Sequence, residues 1–144
     1  MRPISSICKL IPFCFFMVFL LSSCRDTRVI TITGGDAMTQ KLTMIDENGK
    51  PADTIYVNAG QKIKWRIKDS TSTVKGFTGF PLKGSKIGTE VLEERPHHKI
   101  LSKTWVGNVK KANLKGGDAE DYKIMWKDKN EKVYTYDPRI QVNS

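Results

Sequence analysis

The sequence predicts an all-β protein folded as a single antiparallel β-sandwich. Three observations lead there. Past Arg25, no stretch longer than about two turns carries the i, i+3, i+4 apolar spacing of an amphipathic helix. Apolar and polar residues instead alternate over short runs, which gives a strand one buried and one wet face. Turn-forming clusters separate the runs at regular intervals, the spacing expected of a sandwich.

Val29 to Thr33 is β-branched throughout and stops at Gly34-Gly35. Gln40 to Asp46 alternates, with Leu42 and Met44 on one face, and Asp46 to Pro51 is a turn cluster. The clearest segment follows. Asp53 to Val57 reads as a strand, Asn58-Ala59-Gly60 as a tight turn, and Gln61 to Asp69 as a second strand. There Ile63, Trp65 and Ile67 alternate with Lys62, Lys64, Arg66 and Lys68. Ser70 to Pro96 is less regular and rich in glycine. Lys99 to Val109 reads as one strand, with Trp105 in the core and Gly107 marking a bulge. Asn113 to Asp118 is a loop. Tyr122, Ile124 and Trp126 point inward, Lys127 to Glu131 turns, and Lys132 to Tyr136 returns. Pro138 breaks that strand and Arg139 to Val142 closes the domain.

The N-terminus has a different character. Arg2 and Lys9, with no acidic residue, precede an apolar run from Ile11 to Leu21. A cationic start, a short apolar core and small residues before a cut make a secretory signal. The run is too short for a bilayer span, which takes ~20 apolar residues. Leu21-Ser22-Ser23-Cys24 resembles the lipobox of bacterial lipoproteins, in which a diacylglycerol joins the cysteine sulfur and cleavage leaves that cysteine first. The resemblance implies a signal peptide over residues 1–23, a lipidated Cys24 with a short tether over 24–28, and the sandwich over 29–144. It places the protein in the bacterial cell envelope, anchored to a membrane through its N-terminal lipid. Acyl chains, at about 0.8 kcal/mol per buried CH2, hold such a domain stably. Arg25 rather than Asp follows the cysteine, so export to an outer membrane is expected where the cell has one. Cys8 and Cys14 leave with the signal. With Cys24 lipidated no disulfide forms, and the exported domain folds on its apolar core alone.

Cys24 to Ser144, about 120 residues, suffices for one domain and not for two. The formal net charge of +9 loses only Arg2 and Lys9 with the signal. The lysines are scattered rather than clustered with aromatics, and no nucleic-acid motif appears, so nucleic acid is not the expected partner. Anionic lipid headgroups, acidic glycans or an envelope protein are.

Thr54 to Trp65, followed by Asp69, resembles the second hairpin of cupredoxin-like domains: strand, small-Gly turn, strand with an inward aromatic. Ile140-Gln141-Val142 resembles the closing strand of that fold. Immunoglobulin-like sandwiches contain similar hairpins, so a Greek key of either kind is expected. The resemblance implies the scaffold without the metal. A blue-copper centre needs two imidazoles, a thiolate and a weak axial ligand. Ser70 to Val74 contains no histidine, and neither Lys127 to Glu131 nor Tyr136-Asp137-Pro138 contains Cys or His. No cofactor is expected.

Lys75, Phe77, Phe80 and Lys83 are the candidate ligand or partner contacts. The two rings are the only phenylalanines past Cys24, and they stand beside lysines in a glycine-flanked stretch. They would form an aromatic anchor with a basic rim, or fold back to plug the open end of the sandwich. His97 and His98 are the only histidines. On a strand they would face opposite ways and chelate poorly; a loop after Pro96 would bring them together near Glu93 and Glu94. Asp118, Glu120 and Asp121 read as solvated loop carboxylates. No G-x-S-x-G turn and no glycine-rich phosphate loop occurs. The expected function is therefore a lipid-anchored, non-enzymatic binding or structural module. A metal-handling protein using His97 and His98, or a small hydrolase without a recognisable motif, are the alternatives.

Overall fold

The computed structural model describes residues 27–68, 73–79, 90–99 and 103–144. Residues 1–23, Cys24, Phe80 and Lys83 lie outside them. The described residues form eleven strands and no helix. The first four are β1 (Thr27–Asp36), β2 (Lys41–Ile45), β3 (Thr54–Val57) and β4 (Lys62–Ile67). Then follow β5 (Val74–Gly79), β6 (His97–His98), β7 (Thr104–Asn108) and β8 (Ala119–Asp121). The chain closes with β9 (Ile124–Asp128), β10 (Val133–Tyr136) and β11 (Arg139–Val142). They pair in three sheets: β2-β1-β4-β7-β6, β10-β9-β5 and β3-β11-β8. The all-β sandwich that the alternation predicts is present.

Alternation fixes which face of a strand is buried, but not its neighbour or direction. Two pairs are parallel: β1 with β4, Thr27 opposite Lys62 and Ile32 opposite Ile67, and β3 with β11, Ile55 opposite Ile140. The Asn58 turn is real, with Gly60 at φ 77° and Gln61 N–H bonded to Asn58 C=O at 3.1 Å. It does not close a hairpin, however: β3 and β4 belong to different sheets. Thr27 and Arg28, read as the end of the tether, are already paired with Lys62 and Ile63. Lys99 to Val109 is not one strand. A hairpin turns there, β6 pairing β7 and Lys99 N–H bonding Thr104 C=O at 2.9 Å. Strand β5 falls in the stretch read as irregular. Two register shifts break its ladder to β9, so its pattern has no clean period of two.

One hydrophobic core joins the sheets. Trp65 and Trp126 are wholly buried in it, with Ile30, Ile32, Ile55, Ile63, Ile124 and Ile140 around them. Each tryptophan lies over a glycine. A Cβ at Gly35 would sit 2.8 Å from the Trp126 ring, and one at Gly107 would sit 3.1 Å from the Trp65 ring. Gly107 stays in register opposite Ile63, so it makes room for a ring rather than a bulge.

Two hairpin loops share the pattern D-x-N-x-K, Asp46 to Lys50 and Asp128 to Lys132. Each aspartate accepts two backbone N–H bonds: Asp46 from Asn48 and Lys50, both at 2.8 Å, and Asp128 from Asn130 at 2.9 Å and Lys132 at 3.0 Å. The fourth position takes a left-handed backbone in both, Gly49 at φ 77° and Glu131 at φ 64°. A short side chain that satisfies local amides is what writes such a loop into sequence.

Candidate functional site

The cavity that gathers the candidate residues lies between the layers, at the end where β4 leaves its sheet. Ile67 is the last residue of β4. The next residue, Lys68, donates its backbone N–H to Ile32 C=O at 2.9 Å. Opposite stands β5, where Phe77 pairs with the buried Trp126 and packs half-buried on the core. The β6–β7 hairpin closes the third side. His98 lies opposite Trp105, so both side chains share a face, with ring centroids 5.5 Å apart. This open cleft has a volume of about 240 Å³, with Phe77, Trp105, Ile67 and Val74 as apolar walls and Lys68, Lys75, Lys103 and His98 as polar ones.

The structure sorts the predicted residues. Phe77 is a cavity wall seated on the core, closer to the plug than to a free anchor. Lys75 also borders the cavity and forms an ion pair with Glu131, which in turn meets Lys127 at 3.0 Å. His97 and His98 are on a strand, and their contacts diverge. His97 Nδ1 is 3.5 Å from Glu94, whereas His98 faces Trp105. The loop geometry that would let the two share a metal ion is not the one formed. Among the described residues no group of three His, Cys, Asp or Glu side chains converges.

The carboxylates read as solvated have structural partners instead. Glu120 Oε2 accepts the backbone N–H groups of Val91 at 2.7 Å and Leu92 at 2.9 Å, fastening that segment against the core. Asp118 accepts the Lys115 amide at 2.7 Å, and Asp121 accepts from Arg139 Nε at 2.7 Å. The Asp118 bond is local, but those of Glu120 and Asp121 are not visible in sequence, because their partners lie many residues away.

Trp105, His98, Lys68 and Lys103 are the members of the site that sequence reasoning did not join to Phe77. The signal exists only in part: Trp105 and His98 are each conspicuous in sequence, but the local pattern there predicts one strand, not the hairpin that places them together.

Two tyrosine hydroxyls, one buried and one half-buried, lie elsewhere. Trp65 Nε1 donates to Tyr122 Oη at 2.9 Å, and Tyr136 donates to Asp53 at 2.8 Å. Burial raises the pKa of both hydroxyls, and for Tyr136 the Asp53 carboxylate adds to the shift. They brace the core.

What the fold and cavity define is a β-sandwich domain with an aromatic, lysine-rimmed pocket at one end. No protein-family profile matches the chain, and no curated protein is significantly similar to it.

Proposed function

We propose that this is a lipid-anchored protein of the bacterial cell envelope that works as a non-enzymatic binding module for an acidic glycan. One observation carries the ligand class: two aromatic side chains, Phe77 and Trp105, and three lysines border the same cavity. A sugar ring packs its apolar face on an aromatic ring, and its carboxylate or phosphate attracts the ammonium groups. The cleft volume of about 240 Å³ is of the size of a sugar ring. The anchor rests on the lipobox-like Leu21 to Cys24. The cupredoxin-like scaffold without copper belongs to the same proposal. It is supported by β3 and β11, two of the three strands that carry the likeness, pairing side by side; the third, β4, lies in another sheet.

The test uses the purified lipoprotein in detergent against acidic and neutral oligosaccharides, read by tryptophan fluorescence. Acidic chains are expected to bind, and Lys68→Gln/Lys103→Gln to weaken them at least tenfold. Equal binding of neutral chains, or no effect of the lysine pair, would refute the ligand class. The anchor is tested apart from this. Cys24→Ala is expected to abolish acylation and shift the protein out of its membrane fraction; unchanged acyl labelling would sink it.

A further inference from the structure

The chain between Cys24 and the first paired residue is short, and this limits which end of the domain can face a bilayer. Three residue steps from Cys24 to Thr27 reach at most ~11 Å when fully extended. Thr27 is paired with Lys62, and Lys62 with Asn108 on its other side. At the same end Gly60 N–H bonds Lys110 C=O at 3.0 Å, and a Cβ on Gly60 would lie 3.3 Å from Lys111 Cγ. Lys62, Lys110 and Lys111 thus collect where the chain would leave for its anchor. Lys110 is engaged by Glu90 at 3.2 Å, while Lys62 and Lys111 are exposed. Acids nearby are Glu93, its amide bonded to Asn108 C=O, and Glu47, which pairs with Arg28 at 2.6 Å beside Thr27.

We infer that this end of the sandwich, with Lys62 and Lys111 as contacts and the Ala59-Gly60 turn between them, docks on anionic lipid headgroups. The inference rests on Cys24 being lipidated. The distances decide it. Attraction to an anionic surface fades over a screening length of about 8 Å, and the tether reaches little farther, so the two lysines stay in the field. The other end does not. At ~3.3 Å per residue, the Asp36 end of β1 stands roughly 30 Å away. Ile67, at the cavity, is opposite Ile32, some 17 Å along the strand. The docked orientation therefore points the cavity away from the bilayer.

The experiment places the full lipidated protein in vesicles of phosphatidylcholine, with or without phosphatidylglycerol, carrying a headgroup-linked quencher. Because lipid blocks Cys24, a fluorophore is attached through Ala59→Cys at the near end or Met38→Cys at the far end. Position 59 is expected to be quenched more strongly in anionic vesicles than in neutral ones, and position 38 in neither. Lys62→Gln/Lys111→Gln should lower the docked-to-undocked ratio about fivefold per lysine. Equal quenching of position 59 in neutral vesicles, indifference to the lysine pair, or quenching at position 38 overturns the docking surface and leaves the anchor standing. Failure to float with either vesicle overturns the anchor and the inference together.

Discussion

The ring of Trp126 lies so close to Gly35 that a Cβ there would fall 2.8 Å from one ring carbon and 2.9 Å from the next, with Val74 Cγ2 also at 2.9 Å. Nothing else but glycine fits without moving a fully buried ring. Gly35→Ala is therefore expected to destabilise the domain by about 1–3 kcal/mol, the usual cost of overpacking a core. Gly107→Ala, against Trp65 at 3.1 Å, should cost less. Urea unfolding of the two variants checks both the sign and the order.

The paired D-x-N-x-K loops differ at their left-handed position. Gly49→Ala is expected to lose about 1 kcal/mol, since a Cβ is strained there. Glu131→Gly should lose nothing, because relief of the same strain offsets its ion pairs with Lys75 and Lys127, which are exposed and worth little. A clear drop in urea midpoint for Glu131→Gly would show that those ion pairs matter more than backbone strain.

Glu120 ties two amides of a segment that is otherwise held by few ladder bonds. Glu120→Ala is expected to cost about 2–3 kcal/mol, as charge-assisted bonds to half-buried amides are lost together. Hydrogen exchange at Val91 and Leu92 should accelerate more than at Ile63 in the central strand. Uniform acceleration would mean that the carboxylate supports the whole fold rather than this segment.

Stability should fall at both ends of the pH scale, for opposite reasons. Burial holds the Tyr122 hydroxyl protonated well above its ordinary value of 10.0. The unfolded chain ionises near that value, so the contribution of Tyr122 is intact below it and is lost as pH rises toward the folded pKa. Tyr122→Phe should flatten the alkaline limb of a plot of urea midpoint against pH; an unchanged limb would exclude Tyr122 as its cause. At the acid end, burial pushes the Asp46 carboxyl up, but the Lys50 and Asn48 amides and Arg28 outweigh it. Its pKa is held below 3.8. Its contribution is present above that value and disappears as pH falls through the folded pKa. Asp46→Asn should be destabilised at neutral pH and flatter below pH 4.

Local alternation is enough to set the all-β class and most of the buried set: Leu42 and Met44, Ile63 and Trp65, then Tyr122, Ile124 and Trp126 are all inward, as the period of two requires. The sequence by itself also determines the Asp46 and Asp128 loops. These properties are local, set by a period of two or by a side chain bonding its own neighbours. That β3 and β4 belong to different sheets, and that β1 runs parallel to β4, is set by packing across the chain. The same packing decides that Gly107 yields to Trp65 rather than bulging, that Glu120 serves Val91 and Leu92, and that Phe77, Trp105 and three lysines meet at one cavity. Those outcomes depend on which strands become neighbours, and that choice is made by how the sheets bury one shared core, a sum over contacts far apart in the chain that no local pattern records.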